Sequence, residues 1–252
     1  MMAKICVFVN QKGGVGKTTS AINIGAYFAR EGKRTLLVDF DPQGNLSSGL
    51  GLLKPKKTAY DLITGNGTLD EVISKTVVPN LEAIPANIEL SGAAVELVDE
   101  QRREYFLHDA LAPIEDDYDY ILIDCPPSLG VLTINGLACA SSVLVPLQCE
   151  YFALEGLSLL LETITRIQKS VNKNLELGGI FFTMYDTRTR LAQEVVQQVL
   201  TYFKDKVFTT IIPRNVRLSE APSHGLPISE YDANSTGAKS YHKLALEILQ
   251  RV

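Results

Sequence analysis

Short apolar runs alternate along this chain with stretches in which apolar residues recur at helical spacing. Runs of this kind are typical of buried parallel strands, and the intervening stretches are typical of crossover helices. The first such helix is predicted over residues 18–30, ending at Gly32. Right-handed crossovers then give a doubly wound, mostly parallel α/β sheet with helices on both faces. The runs predicted to be strands are residues 5–9, 35–39, 120–124, 142–147, 178–183 and 207–212.

The stretch of residues 50–87 breaks this regular alternation. It contains several prolines and glycines, which predict short helices and one strand at an edge of the sheet. The chain shows no internal repeat or flexible linker, so we expect a single domain over residues 1–252.

Composition narrows the class of protein further. Hydrophobic residues make up 46% of the chain, yet no run of eighteen apolar residues predicts a membrane span, and the N-terminus does not resemble a signal peptide. We therefore expect a cytoplasmic protein. The four cysteines form no C-x-x-C pair and the three histidines are scattered, so a metal site built from these side chains is not predicted. The net charge of −5 argues against a nucleic-acid affinity of the whole surface, but not against a local basic patch.

The sequence between the first strand and the first helix is rich in glycine and carries two lysines. Glycines allow backbone N–H groups to turn inward around phosphates, and the helix N-terminus adds unpaired amides. Lys17 is placed to reach the β- and γ-phosphates of ATP, and the Thr18 hydroxyl to hold Mg²⁺. Gln11 stands where the general phosphate-loop pattern has its first glycine. The residues predicted to bind ATP here are Lys12, Gly13, Gly14, Val15, Gly16, Lys17, Thr18 and Thr19.

Two further segments place carboxylates where open α/β sheets bind ligands, at the carboxyl ends of strands. Asp41 follows the second predicted strand in a proline- and glycine-containing turn, and Asp124 closes the run of residues 120–123. A carboxylate at the end of a buried strand is costly unless it is paired or binds a metal. Beside a phosphate loop, such groups are suited to holding Mg²⁺ or orienting a water molecule.

Five motifs together resemble the ParA/Soj partition ATPases over nearly the whole chain. They are K-G-G-V-G-K-T-T (residues 12–19), D-F-D-P-Q-G-N (39–45), D-C-P-P-S-L-G (124–130), E-Y-F-A-L-E-G (150–156) and I-P-R-N-V-R-L-S-E-A-P-S-H-G (212–225). The first is shared with MinD-type and nitrogenase-iron-protein-type relatives, whereas the last is more discriminating. Because the phosphate loop starts almost at once, the chain looks like the short Soj-like kind.

The resemblance implies roles for individual residues. Lys12 would reach the nucleotide of a second subunit in an ATP-bound homodimer, and Gly13 would let the two subunits approach closely. Asp41 would position the hydrolytic water, so that Lys12, Lys17 and Asp41 are the implied catalytic residues. Thr18, Asp41 and Asp124 are the implied Mg²⁺ site, and Pro213 and Asn215 fall where the family contacts adenine.

The resemblance also implies partners. The family binds double-stranded DNA without sequence preference as the ATP-bound dimer, so the protein would be associated with the nucleoid. A ParB/Spo0J-like centromere-binding protein would stimulate hydrolysis and release the dimer. The implied DNA contacts are Arg188, Arg190 and Arg217.

Three alternatives stay open at this stage. A MinD-like membrane-surface ATPase would need an amphipathic C-terminal anchor, whereas the apolar stripe of residues 241–249 is more typical of a core-packed helix, so we expect no stable membrane association. A metal-cluster carrier would need suitably spaced cysteines, and only Cys125, beside Asp124, invites a check. A metabolic kinase would need an arginine-rich lid and an acceptor pocket, neither of which we identify.

Overall fold

The computed structural model describes residues 2–252, so Met1, which falls within the predicted domain of residues 1–252, lies outside the described residues. The strands are β1 (Lys4–Phe8), β2 (Thr35–Asp39), β3 (Ser74–Lys75), β4 (Leu81–Ile84), β5 (Tyr120–Asp124), β6 (Ser142–Gln148) and β7 (Glu176–Thr183). The helices are α1 (Lys17–Arg30), α2 (Asn45–Gly49), α3 (Ala59–Ile63), α4 (Leu69–Val72), α5 (Leu90–Glu96), α6 (Phe106–Leu111), α7 (Val131–Cys139), α8 (Ala153–Ser170), α9 (Arg190–Phe203), α10 (Val216–Glu220), α11 (Ile228–Tyr231) and α12 (Thr236–Arg251).

The strands form one sheet in the order β3-β4-β2-β5-β1-β6-β7. Every neighbouring pair is parallel except the edge pair β3 and β4. The predicted mostly parallel sheet is therefore confirmed. The register places Asp39, at the end of β2, beside Asp124, at the end of β5. These acidic residues therefore meet at the carboxyl ends of the central strands.

Helices cover both faces of the sheet because successive strand side chains point to opposite sides. In β1, Ile5 and Val7 belong to the core beneath α7 and α8, while Cys6 and Phe8 belong to the core beneath α1 and α12. A parallel sheet buried in this way needs apolar residues on both faces, which explains the continuous apolar runs in the sequence.

Helix α1 begins and ends at glycines with positive φ. Gly16 (φ 87°) precedes the first residue of the helix, and Gly32 (φ 79°) follows its last turn. The Gly32 N–H donates to the Ala29 carbonyl at 3.0 Å, which closes the helix in the manner of a C-terminal glycine cap. The predicted helix of residues 18–30 is thus confirmed to within one residue.

The strand predicted over residues 207–212 is wrong. This segment touches β7 only through an isolated bridge between Val207 and Ile180 and through single backbone bonds beyond it. The reason lies in Glu247 of α12, whose carboxylate accepts the backbone N–H groups of Thr209 at 2.6 Å and Thr210 at 3.0 Å. Those amides are therefore unavailable for a continuous strand ladder.

Residues 50–87 contain short helices, as predicted, but two strands rather than one. The additional strand, β3, is only two residues long and pairs antiparallel with β4 at the sheet edge.

Helix α12 packs its apolar stripe into the core, with Tyr241, Leu244, Ala245 and Ile248 buried. The Tyr241 hydroxyl lies 3.0 Å from the Ser20 hydroxyl of α1, so the two helices share a polar contact within an apolar interface. Within residues 2–252, no helix has both the length and the apolar character needed to cross a membrane.

Candidate functional site

The glycine-rich segment predicted to bind phosphate forms a loop between β1 and α1. Gly14 and Gly16 both have positive φ, 74° and 87°, a conformation that other residues adopt at a cost. No side chain caps the N-terminus of α1. The unpaired amides of its first turn, and the positive end of the helix dipole, are therefore available to an anion.

Three hydrogen bonds fix the loop, two of them with neighbouring strands. The Asn10 side chain donates to the Pro146 carbonyl of β6 at 2.8 Å and accepts from the Lys12 N–H at 3.0 Å. The Thr183 hydroxyl, at the end of β7, donates to the Val15 carbonyl at 2.8 Å. The loop conformation is thus held by the surrounding strands, which is the preorganisation that a phosphate site requires.

Lys17 lies inside the site and is only 6% exposed. Its ammonium donates to the Lys12 carbonyl at 3.1 Å, so the side chain curls back over the loop. Burial lowers the pKa of Lys17, and the nearby carboxylates of Asp124 and Asp41 oppose that shift. A desolvated ammonium among acidic groups is suited to phosphate because it has no strong partner of its own.

Three buried carboxylates lie at or just beyond the ends of β2 and β5: Asp39, Asp41 and Asp124. Two of them, Asp41 and Asp124, act on the charge of Lys17. Asp39 accepts hydrogen bonds from the Ser47 N–H at 2.8 Å and the Ser47 hydroxyl at 2.6 Å. Burial raises the pKa of Asp39 to about 6 despite these bonds. Asp41 accepts from the Gln43 N–H at 3.0 Å and borders the cavity. Asp39 therefore supports the turn that carries Asp41, a positioning role that the motif alone does not reveal.

Asp124 and Thr18 fit a divalent cation. The Thr18 hydroxyl donates to Oδ2 of Asp124 at 2.6 Å, while Oδ1 is buried without a hydrogen-bond partner among the described residues. Burial and the proximity of Asp39 raise the pKa of Asp124 well above its usual range. An unsatisfied buried carboxylate oxygen beside a hydroxyl is the oxygen-rich setting that Mg²⁺ prefers.

Two adjoining cavities open over the loop. The phosphate-side cavity, about 430 Å³, is bordered by the glycine loop and Thr18 on one side and by Asp41 and Pro127 on the other. The base-side cavity, about 300 Å³, is bordered by Thr183, Pro213 and Asn215. Both are bordered by Gly16, Thr19, Met184 and Pro222. The residues predicted for phosphate and adenine therefore lie along one continuous trough.

Among the loop residues predicted to bind ATP, the buried Val15 and the exposed Lys12 do not border the phosphate-side cavity. Lys12 differs from Val15 in lying at the surface. Its ammonium forms an ion pair with Glu150, and its side chain is 49% exposed. Gly13 beside it has open space: a Cβ added there would meet no atom of this chain within 4 Å. Lys12 and Gly13 thus face outward, toward any molecule that covers the trough. The role of Glu150 was not predicted, although it opens the E-Y-F-A-L-E-G motif.

The three predicted DNA-contact arginines lie on two adjoining segments but are engaged with acids. The backbone joins the segments through the Tyr185 N–H, which donates to the Ile212 carbonyl at 3.1 Å. Arg188 pairs with Asp186 at 2.6 Å, Arg190 with Glu194 at 2.8 Å and Arg217 with Glu220 at 2.8 Å. All three are exposed, and exposed ion pairs contribute at most about 1 kcal/mol, so a stronger anion can displace the acids.

Another cavity, about 670 Å³ and larger than either of the two over the loop, lies near the amino ends of β2 and β4. It is bordered by Arg34, Asn80 and Tyr118. Two of the polar side chains that border it already bond to each other, since Tyr118 donates to Glu82 at 2.6 Å. Volume alone does not identify a site. The trough contains the glycine loop and the carboxylates, and the chemistry therefore belongs there.

A P-loop nucleoside triphosphatase is the class of protein that this sheet and this loop define, because the first strand leads through the glycine turn directly into α1. The family model described as an AAA domain matches residues 3–177. The chromosome-partitioning ATPase Soj of Treponema pallidum (strain Nichols) is 69% identical over 250 residues, which cover 99% of this chain and 98% of that protein. The chain belongs to the ParA/Soj family of chromosome-partitioning ATPases, as the sequence motifs predicted.

One further relative agrees with this assignment, and one solved structure agrees with the fold. The sporulation initiation inhibitor protein Soj of Bacillus subtilis (strain 168) is 53% identical over 249 residues, covering 98% of each chain. The solved structure of cobyrinic acid a,c-diamide synthase from Mycobacterium smegmatis, with bound ADP and magnesium, superposes with a TM-score of 0.87 at 38% identity. That likeness covers 99% of this chain and 95% of the other, which confirms the P-loop fold.

Proposed function

We propose that this protein, as one ATPase domain, is a DNA-segregation switch in the cytoplasm. It binds ATP and Mg²⁺ in the trough and pairs with a second copy across the nucleotides. The pair then holds nucleoid DNA without sequence preference. A ParB/Spo0J-like partner stimulates hydrolysis and so releases the DNA. The names of its relatives, chromosome-partitioning ATPase and sporulation initiation inhibitor, support this function.

Each step falls to particular residues of the chain. The amides of the loop and the Lys17 ammonium bind the β- and γ-phosphates. Thr18, Asp124 and Asp41 hold Mg²⁺, which supplies positive charge to the phosphate oxygens when bound. Asp41 orients the water that attacks the γ-phosphorus, and the bond to the β-γ bridging oxygen breaks to leave ADP. Pro213 and Asn215 contact the adenine.

The observation that best supports the proposed dimer is the outward position of Lys12. A lysine directed at its own phosphates would border the phosphate-side cavity, as Lys17 does. Lys12 instead pairs with Glu150 on the exposed rim, beside the open space at Gly13. This position supports a role on a second subunit's nucleotide, where a positive charge stabilises the transferred phosphate.

The test begins with an Asp41→Ala variant, which should bind ATP but hydrolyse it slowly. Binding to duplex DNA of arbitrary sequence and to anionic liposomes is then measured with ATP and Mg²⁺, and with ADP. ATP-dependent binding to DNA that weakens as salt rises supports the proposal, because phosphate contacts release counterions. ADP is the matched control, since it should not support binding.

Two other outcomes would replace the proposal. Liposome binding without DNA binding would favour a membrane-surface ATPase, although the burial of the α12 stripe speaks against an anchor there. Binding to neither would leave an ATPase switch whose cargo is a protein.

A further inference from the structure

Arg214 differs from the other arginines in the part of the chain that the structure describes. Nine of the ten arginines in the sequence have a side-chain hydrogen bond or ion pair within residues 2–252. Arg214 is exposed and has neither, although its backbone N–H donates to the Tyr185 carbonyl at 3.1 Å. The paired nine are Arg30, Arg34, Arg102, Arg103, Arg166, Arg188, Arg190, Arg217 and Arg251.

The backbone around Arg214 is fixed while its side chain is not. Tyr185 and Pro213 form an isolated parallel bridge, and the Asn215 amide donates to the Thr236 hydroxyl at 2.7 Å. Pro213 and Asn215 border the base-side cavity on either side of Arg214. The guanidinium is therefore carried by a rigid segment at the rim of the nucleotide trough.

The surroundings of Arg214 favour a phosphate ligand outside the trough. The nearest acidic loop residue, Asp186, already accepts two hydrogen bonds from the Arg188 guanidinium, at 2.6 and 2.9 Å. A guanidinium presents paired donors that match phosphate oxygens, and an exposed one gives up little hydration to bind. Arg188 and Arg217 must first leave acids that they bind directly, whereas Arg214 gives up only a longer-range attraction to Asp186.

We propose that Arg214 contacts backbone phosphates of duplex DNA and is the foremost cation of the surface that Arg188 and Arg217 complete. This inference rests on the proposed function, which it deepens by adding a residue that the sequence did not indicate. Because Pro213 and Asn215 line the base-side cavity, the same rigid segment links nucleotide occupancy to the DNA surface. Arg214 itself borders that cavity, so a contact with the nucleotide is the competing interpretation.

The test compares Arg214→Ala with Arg166→Ala in binding to duplexes of unrelated sequence. Arg166 is another exposed arginine, near the end of α8, and it does not border the nucleotide trough. Binding is measured over a range of salt at a concentration of non-hydrolysable ATP analogue that saturates the wild type, and again at a much higher concentration. Arg214→Ala should bind every duplex roughly tenfold more weakly, with a salt slope shallower by about one for each arginine removed, or about two per dimer.

Arg214→Lys should recover most of the binding, which separates a lost charge from a damaged fold. The inference is overturned if Arg214→Ala binds DNA like the wild type, or if raising the analogue concentration restores its binding, since the side chain would then serve the nucleotide. Failure of the wild-type protein itself to bind DNA would remove the proposed function and this inference with it.

Discussion

Lys12 and Lys17 lie five residues apart in one loop, yet the structure gives them opposite surroundings. Lys17 occupies the inner wall of the trough, buried and facing Asp41 and Asp124. Lys12 occupies the outer rim, half exposed and tied to Glu150. This contrast supports the proposal that the inner lysine serves the nucleotide of its own subunit and the outer lysine that of a second subunit.

The strongest test of this comparison is Lys17→Ala. Removing the inner ammonium takes charge-assisted bonds from two phosphates, so ATP affinity should fall roughly a hundredfold or more. A titration with a fluorescent ATP analogue measures the change. Lys12→Ala is the matched control and should keep its monomer affinity within a few-fold. Equal losses in both variants would contradict the division between inner wall and outer rim.

Gly13→Val tests whether a second subunit packs against the rim, because it adds a bulky side chain there. The added side chain meets nothing in this chain, and the φ of Gly13 is not positive, so the fold and ATP binding should persist. Two subunits packed across the loop would clash, and the dissociation constant of the ATP-bound dimer should rise by about tenfold or more. Sedimentation with a non-hydrolysable analogue measures this. An intact dimer would show that the rim is not the interface.

For comparison, Gly14→Val should harm the loop itself, because the φ of Gly14 is 74°. Loss of ATP binding in this variant, with ATP binding kept in Gly13→Val, would separate backbone strain from steric exclusion between subunits.

The pH dependence of stability tests the buried carboxylates of the inner wall without involving the rim. The pKa of Asp39 is raised to about 6 by burial, so the folded protein binds its proton more tightly than the unfolded chain does. Stability from this group is therefore present at low pH and is lost as pH rises through about 6. Without nucleotide or Mg²⁺, lowering the pH from 8 to 5 should raise the free energy of unfolding through this group by about 1.4 kcal/mol, measured in urea.

Asp39→Asn is the control for that pH dependence. It resembles the protonated carboxyl, keeps an acceptor for Ser47 and should show a flatter profile with higher stability at pH 8 than the wild type. A profile unchanged by this substitution would assign the effect to another group, such as Asp124, whose pKa is also raised.

The smallest expected effect belongs to Glu150→Gln. An exposed ion pair contributes at most about 1 kcal/mol, so freeing Lys12 should tighten the ATP-bound dimer by less than about fivefold. Glu155→Gln, which neutralises another carboxylate of the same motif, should leave the dimer unchanged. A weaker dimer in Glu150→Gln would instead mean that Glu150 itself contacts the second subunit.

The sequence predicts the inner wall well because its determinants are local. Glycines, Lys17 and Thr18 occur within one short motif between a strand and a helix, and Asp124 follows directly from an apolar run. Local spacing therefore predicts both the phosphate loop and the carboxyl edge of the sheet.

Contacts between distant residues account for what the sequence did not predict. The predicted strand at residues 207–212 does not form because the Thr209 N–H donates to Glu247, which lies 38 residues further along the chain. The ion pair between Lys12 and Glu150 joins residues that lie 138 positions apart. Arg214 lacks a direct ion pair because Asp186 pairs with Arg188 instead. The periodicity of the sequence does not predict such contacts, since each depends on tertiary geometry.

The contact between Ser20 and Tyr241 has a consequence for the order in which the protein is made. The two hydroxyls lie 221 positions apart, so the helix that opens the phosphate site is synthesised long before its packing partner α12. At about 5–20 residues per second, this interval lasts roughly 10 to 45 s. Thr183, which anchors the glycine loop, is made before α12, so a chain stopped between residues 183 and 236 has this anchor but lacks α12. We expect such chains not to retain ATP, so that nucleotide binding would mark a chain that has reached α12.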